Sequence, residues 1–133
     1  MKGIFADTTY YLALLTPGDE HHEAALRCSQ TTVGLILVTD FVLSEVGNTL
    51  AGSKTRAAFP ELMRTVREDP DTEVIRLSPA LFDKGLDLYA RRPDKEWSLT
   101  DCVSFVVMKE RGVTEALTAD HHFEQAGFTI LLK

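Results

Sequence analysis

Short apolar runs alternate along this chain with longer segments in which apolar residues recur at helical spacing. The run at residues 35–38 is apolar at every position, which is typical of a strand buried on both faces of a parallel sheet. Alternation of such strands with helices indicates a sheet that carries helices on its faces. The sequence therefore predicts the α/β class, with a mainly parallel sheet of four or five strands in a three-layer α/β/α arrangement.

Turn residues and capping signals place the boundaries of the elements. Pro17 and Gly18 end the first helix, Asp40 is expected to cap the third, and Gly112 ends the long apolar helix. A length of 133 residues suits one domain, so we expect residues 1–133 to form a single domain. The predicted strands are 3–6, 35–38, 73–77, 115–118 and 129–132, and the predicted helices are 8–15, 19–31, 40–50, 56–68, 79–89, 99–111 and 120–125.

Composition argues against several classes of protein. The 14 Lys and Arg against 20 Asp and Glu give a net charge of −6, so no overall positive field favours binding to nucleic acid. The composition still permits a local basic patch. No apolar run approaches the roughly 18 residues that a membrane span requires. The apolar start of the chain reaches Asp7 too soon for a secretory signal, so we expect a cytoplasmic protein. Cys28 and Cys102 are interpreted as buried apolar residues, because their separation indicates neither a disulfide framework nor a thiolate zinc site.

Acidic residues follow the predicted strands or begin helices beside them. Asp7 and Asp120 stand just after strands, and the ligand crevice of an open α/β sheet lies beyond the carboxyl ends of its strands. Glu45 lies on the helix after the 35–38 strand, at the border of the apolar stripe of that helix. Asp101 begins a helix that is apolar in nearly every direction, so its carboxylate should be buried and should need a partner. We therefore expect these carboxylates to meet at one edge of the sheet.

Ionised carboxylates gathered in one crevice repel one another, and burial disfavours their charged forms further. A divalent cation would remove that conflict. Oxygen ligands without a thiolate or a well-placed imidazole favour a hard ion, Mg²⁺ or Mn²⁺, over zinc. Such an ion activates water and stabilises an in-line phosphoryl displacement, so hydrolysis of a phosphodiester is the reaction that these acids suggest.

Each acid also has a purely structural interpretation. Asp7 and Asp120 could cap the helices that they precede, and Asp101 could complete a capping box with Ser98. Glu45 could be a solvated residue on a helix face. The chain would then be a protein-binding module without catalysis. A phospho-acceptor receiver domain that uses Mg²⁺ is the other alternative, but the first strand is not followed by the paired acids that such a domain requires.

Short segments of this sequence resemble the motifs of PIN-domain ribonucleases. The segments are Ile4-Phe5-Ala6-Asp7-Thr8, Thr39-Asp40-Phe41-Val42-Leu43-Ser44-Glu45, Trp97-Ser98-Leu99-Thr100-Asp101-Cys102 and Leu117-Thr118-Ala119-Asp120-His121-His122-Phe123. They occur in the order of the family and span essentially the whole chain. The length of the chain, with no extra domain, resembles the VapC-type toxins of type II toxin–antitoxin systems.

The resemblance implies a ribonuclease that uses Mg²⁺ or Mn²⁺ to cut structured RNA, with transfer RNA or ribosomal RNA as common targets. It also implies a cognate antitoxin protein as partner, and a homodimer. The positions that match the catalytic and metal-binding acids of the family are Asp7, Glu45, Asp101 and Asp120, and the positions whose hydroxyls support the metal or its water are Thr8, Thr100 and Thr118. Some relatives carry a second acid directly after the last one, where this chain has His121 and His122.

Two histidine pairs, His21-His22 and His121-His122, suggest zinc at first sight. Neighbours on a helix point about 100° apart, so we do not expect either pair to share an ion. Surface or RNA-facing positions are the interpretation that we prefer for these residues.

The densest basic cluster is formed by Arg91, Arg92 and Lys95. It precedes the helix of Asp101, so it could hold RNA phosphates near the site or be an ordinary solvated loop. Trp97 ends that loop beside the apolar helix, which favours a packing role over base stacking.

Overall fold

A computed structural model describes residues 3–133, so the first two positions of the expected domain lie outside the described residues. A parallel sheet forms the centre of the fold. Its strands are β1 (Ile4–Ala6), β2 (Ile36–Thr39), β3 (Thr72–Ile75), β4 (Glu115–Leu117) and β5 (Thr129–Ile130). They lie in the order β3-β2-β1-β4-β5, and each pair of neighbours is parallel. The predicted parallel sheet is confirmed, with five strands.

Helices connect the strands and cover the sheet. They are α1 (Thr8–Leu15), α2 (His22–Thr31), α3 (Asp40–Thr49), α4 (Ala58–Glu68), α5 (Pro79–Arg91), α6 (Leu99–Arg111) and α7 (His121–Gln125). The chain runs from β1 outward to β3 and then returns past β1 to β4 and β5. Right-handed crossovers therefore put α1–α4 on one face and α5–α7 on the other, which gives the expected three layers.

The two faces of the sheet are closed by dense apolar packing. Phe5, Leu37 and Leu117 on neighbouring strands are fully buried. On one face, α5 approaches α6 so closely that a Cβ atom at Gly85 would lie 2.4 Å from Cγ2 of Val103. This contact packs α5 against the helix that carries Asp101, one of the predicted site residues.

Hydrogen bonds explain where the element boundaries differ from those predicted. Thr39, not Asp40, caps α3, because its Oγ1 accepts from the backbone N of Val42 at 3.1 Å. The Asp40 carboxylate instead accepts from Arg76 Nε at 2.8 Å and from the backbone N of Leu77 at 3.0 Å. The backbone N of Leu77 is thus bonded to a side chain and not to a strand, and β3 ends at Ile75, before the predicted residue 77.

The second helix is also shorter than expected. The Asp19 carboxylate accepts from the backbone N of His21 at 2.8 Å, which forms a turn, and α2 begins only at His22. Cys102 is buried as predicted, whereas Cys28 is only half-buried, and both thiols are free. Among the helices of residues 3–133, none has the length and apolar character needed to cross a membrane.

Candidate active site

The predicted site residues gather beyond the carboxyl ends of β2, β1 and β4, which are neighbours in the sheet. The chain leaves β1 toward β2 in one direction, whereas β4 and β5 lie on the other side, so β1 and β4 flank a topological switch point. Asp7 follows β1 directly, and the backbone N of Asp7 donates to the carbonyl of Leu117 on β4 at 3.1 Å. Ligand crevices of open α/β sheets form at such points.

Asp7 is almost completely buried, with 3 % of its surface exposed. It occupies the N-cap position of α1, yet its side chain makes no capping hydrogen bond. Burial is the main reason why the pKa of this carboxyl rises from 3.8 to about 7; the carboxylates of Asp101 and Asp120 act in the same direction, and hydrogen bonds from Thr8 and Thr118 act against it. Helix capping therefore does not explain this side chain.

A network of hydroxyls joins the ends of β1 and β4. Thr118 is fully buried, and its Oγ1 donates to Asp7 Oδ2 at 2.9 Å. Since a hydroxyl has one proton, Thr9 must donate in the 2.9 Å bond between its own Oγ1 and that of Thr118. Thr118 Oγ1 also accepts from the backbone N of Asp120 at 3.0 Å, so one threonine fixes an acid on each strand end. Thr9 was not predicted, because only the pairing of β1 with β4 brings these distant threonines together.

Glu45 reaches the same edge from α3. Its side chain is half-buried, and its Oε1 accepts from Thr8 Oγ1 at 2.7 Å. Thr8 follows Asp7 in the chain, so this bond holds the Glu45 carboxylate beside the start of α1.

Asp101 is buried at the start of α6 and has two structural partners. It forms a capping box, in which Asp101 Oδ2 accepts from the backbone N of Ser98 at 3.0 Å and the backbone N of Asp101 donates to Ser98 Oγ at 2.9 Å. The same Oδ2 lies 2.9 Å from His122 Nδ1. Burial raises the pKa of Asp101. The capping interpretation is therefore correct for Asp101, and it coexists with a place beside the other acids.

Asp120 caps the short helix α7, because its Oδ1 accepts from the backbone N of His122 at 2.9 Å. His121 and His122 follow it with ring centroids 4.6 Å apart. One donor atom from each of Asp120, His121 and His122 lies within 4.8 Å of the others, a group that could hold a metal ion. The expected separation of adjacent histidines is therefore wrong here, since the two rings converge at the first turn of α7.

The donor set fits a divalent cation. The carboxylates of Asp101 and Asp120 raise the pKa of Asp7, and the carboxylate of Asp120 also raises the pKa of Asp101. The groups that act on the Asp7 pKa include no cation among the described residues. A bound cation would offset the cost of ionising these acids, so Asp7, Asp101 and Asp120, with Glu45, are the residues that could hold it.

Comparison with known proteins supports the predicted family. The PIN domain family matches residues 4–129. The chain belongs to the PIN domain family. The alternative of a receiver domain is not supported by this match, and the resemblance found in the sequence motifs is confirmed.

This PIN domain is similar, over most of its length, to an endonuclease specific for 23S rRNA. It is 27% identical over 125 residues to the 23S rRNA-specific endonuclease VapC20 of Mycobacterium tuberculosis, which covers 94% of this chain and 95% of the relative. The crystal structure of VapC20, described as a sarcin-ricin loop cleaving toxin, superposes with a TM-score of 0.85 over 96% of this chain and 97% of that chain. FitAcB from Neisseria gonorrhoeae superposes with a TM-score of 0.66 at 16% identity, covering 96% of each chain, and so supports the fold alone.

Thr100 was predicted, with Thr8 and Thr118, to support the metal or its water through its hydroxyl, and in this PIN domain it has the fewest contacts that fit such a role. Its backbone carbonyl accepts from Ser104 Oγ at 2.8 Å inside α6. Its hydroxyl forms no hydrogen bond within residues 3–133, so, unlike Thr8 and Thr118, it donates to no acid of the site.

The basic cluster of this PIN domain is partly neutralised by its own neighbours. Arg91 Nε lies 2.8 Å from an Asp87 oxygen, and Arg92 forms a forked pair with Asp94 at 3.0 Å. The Arg92 guanidinium also stacks 5.0 Å from the centroid of Trp97. Lys95 is half-buried in the same loop. The loop therefore presents less free positive charge than its sequence suggests.

Trp97 has the predicted packing role. It is 6 % exposed and its ring packs edge-on against Phe105 at 5.0 Å between centroids. Its Nε1 donates to Gln125 Oε1 at 3.0 Å, which ties the basic loop to α7.

Proposed function

We propose that this PIN domain is a metal-dependent endoribonuclease, the toxin of a type II toxin–antitoxin pair, that hydrolyses structured RNA. The observation that carries the proposal is the convergence of Asp7, Asp101 and Asp120 from separate elements, with two of these carboxyls buried and raised in pKa. Similarity to a 23S rRNA-specific endonuclease supports ribosomal RNA as the first substrate to test, with transfer RNA as the second.

The proposed ligands of Mg²⁺ or Mn²⁺ are Asp7, Glu45, Asp101 and Asp120. When bound, the ion supplies water activation and stabilises the charge that develops on the phosphate. Hydrolysis forms a bond between a water oxygen and phosphorus and breaks one phosphorus–oxygen ester bond, and the leaving oxygen takes up a proton. The pre-set carboxylates leave little to be reorganised during this step.

Threonine hydroxyls give that arrangement its rigidity. Thr118 donates to Asp7 from a fully buried position, and Thr8 donates to Glu45. Both bonds fix a carboxylate orientation, and a donated hydrogen bond favours the charged form of the acid, so the hydroxyls act as positioning groups. We propose no comparable role for the Thr100 hydroxyl, which has no such contact within the described residues.

RNA cleavage tests the proposal directly. Metal-stripped protein is incubated with total RNA, with and without added Mg²⁺ or Mn²⁺, and the ends of the products are mapped. Asp7→Asn and Asp101→Asn should reduce the cleavage rate by at least about 100-fold, because each removes charge from the proposed metal site. Asp83→Asn is the matched control, since Asp83 is exposed on α5 and removing its charge should leave the rate unchanged.

The chemistry of the ends separates this mechanism from its main competitor. Attack by water leaves no 2′,3′-cyclic phosphate, whereas attack by the neighbouring ribose hydroxyl produces one. Cyclic ends, or cleavage that persists in both Asn variants, would argue against the proposed site. Intact ribosomal and transfer RNA with either metal present would exclude the function itself.

The partner proposals rest on separate observations. A cognate antitoxin protein is proposed from the family, and co-purification with the product of an adjacent gene would test it. A homodimer is proposed from the apolar stripe of Phe82, Leu86 and Tyr89 on α5, each between 39% and 51% exposed. Sedimentation of the wild type and of Leu86→Glu would test it, because a charge in the stripe should produce a monomer. An RNA substrate and a protein partner both suit the cytoplasm, which cell fractionation would test.

A further inference from the structure

We infer that His122 is a nitrogen ligand of the proposed metal site, and that it makes the site prefer Mn²⁺ to Mg²⁺. The inference rests on the proposed function, since it concerns the ion of the same site. His122 Nδ1 lies 2.9 Å from Asp101 Oδ2 and 3.5 Å from Asp120 Oδ1. The imidazole therefore stands between two of the proposed carboxylate ligands.

The distance of His122 Nδ1 from each of these two carboxylate oxygens suits neighbouring ligands of one ion. Ligands bound at about 2.1 Å and at right angles to each other lie about 3 Å apart. The 2.9 Å to Asp101 Oδ2 is close to this value, and the 3.5 Å to Asp120 Oδ1 corresponds to a wider angle. The Asp120 carboxylate is also anchored to His122, since Asp120 Oδ1 accepts from the backbone N of that residue at 2.9 Å. Sheltered side chains, 21% exposed for His122 and 10% for Asp101, keep this arrangement away from bulk water.

Both histidines belong to the group that could hold an ion with Asp120, but His122 is better placed than His121. The His121 side chain is 70% exposed, and its Nδ1 is 3.8 Å from Asp120 Oδ1. His122 alone of the pair contacts Asp101, the buried acid on α6. His121 therefore provides a matched control in which the same side chain is removed one position away.

An imidazole in an otherwise carboxylate site changes the metal preference. Mg²⁺ prefers oxygen ligands and retains its waters, whereas Mn²⁺ accepts both oxygen and imidazole nitrogen. Removing His122 should weaken Mn²⁺ binding at least about 10-fold, the lower end of the loss seen when even an outer partner of a metal ligand is removed. Mg²⁺ binding should change by less, so the ratio of the two affinities should fall.

Affinity alone would not separate a ligand from a residue that only orients Asp101, so the test also uses electron spin echo spectroscopy of bound Mn²⁺. A directly bound imidazole modulates the Mn²⁺ signal through its ¹⁴N nucleus, and ¹⁵N-histidine labelling changes that modulation. The wild type and His121→Asn should show the modulation, and His122→Asn should lose it while still binding Mn²⁺ more weakly.

Each other outcome overturns the inference. Bound Mn²⁺ without nitrogen modulation in the wild type would make His122 only a hydrogen-bond donor to Asp101. Modulation that persists in His122→Asn would assign the nitrogen to another histidine. Both of these results leave the proposed ribonuclease intact, whereas failure of the wild type to bind Mn²⁺ at all would remove the metal site and the function with it. Where His122→Asn does not fold, modulation that persists in labelled His121→Asn assigns the nitrogen to His122, and its loss there assigns the nitrogen to His121.

Discussion

Asp7 should make the metal-free protein lose stability as the pH rises. Its pKa is 3.8 in an ordinary setting and about 7 in the fold, with burial as the main cause. When folding raises the pKa of a group, the group costs no stability at a pH below its pKa in the unfolded chain. As the pH rises from that value to the pKa in the folded protein, the free energy of unfolding falls. The loss should therefore begin near pH 4 and be complete slightly above pH 7.

The size of this effect follows from the two pKa values. A tenfold change in proton affinity corresponds to about 1.4 kcal/mol, so ionised Asp7 should destabilise the fold by about 4 kcal/mol above pH 7. At pH 5 the same relation gives about 2 kcal/mol, so the change between pH 5 and pH 8 is about 2 to 3 kcal/mol. Because Asp7 is almost fully buried, solvent does little to screen this penalty.

Asp7→Asn isolates the effect, since the amide cannot ionise and its oxygen can still accept from Thr118. Urea unfolding, followed by the fluorescence of the single tryptophan, gives the free energy of unfolding at pH 5 and pH 8 in the presence of a chelator. The advantage of Asp7→Asn over wild type should grow by about 2 to 3 kcal/mol between these pH values. For the control Asp83→Asn, the difference in free energy of unfolding from wild type should be the same at pH 5 and pH 8. If the difference for Asp7→Asn is also the same at both pH values, the reasoning is refuted.

Two further predictions concern packing and RNA binding. Gly85→Ala should lower the free energy of unfolding in the same urea titration by about 1 to 3 kcal/mol, because the new methyl group would overlap Val103 on the facing helix. Gly18→Ala is the control: a methyl group there would meet nothing within 4 Å, so the free energy of unfolding should change by less than about 0.5 kcal/mol. Replacing both Arg91 and Arg92 by Ala should weaken RNA binding and reduce the slope of log affinity against log salt by up to about 1.4, and an unchanged slope would remove that loop from the binding surface.

The strand ends were the part of the site that the sequence could predict. Carboxyl ends of parallel strands share one edge of a sheet, so Asp7 and Asp120 were expected together once their runs were interpreted as strands. Glu45 followed from its place on the next helix, and its half-buried position agrees with the border of an apolar stripe. The structure adds to this edge the contact with Thr8 that fixes the Glu45 carboxylate.

The contacts between site residues could not be predicted in the same way. The Thr9–Thr118 bond joins residues 109 positions apart and depends on the register of β1 against β4. The choice of Thr39 over Asp40 as the α3 cap had a similar origin, since composition permits either residue and the distant Arg76 decides. Local sequence preferences contain no information about such long-range partners.

In the proposed site, capping and metal binding are compatible roles for the same carboxylate. Asp101 uses Oδ2 for the capping box and for His122, and Asp120 uses Oδ1 for the backbone of α7. A carboxylate oxygen has two acceptor sites, so Asp101 Oδ2 and Asp120 Oδ1 can each keep a backbone hydrogen bond and still face a cation. The cap fixes the direction of that oxygen through a bond to the backbone, so a capping signal in the sequence does not argue against a site. Wherever a helix begins at the carboxyl end of a parallel strand, the same acid can stabilise the helix and present an oriented oxygen to a cation.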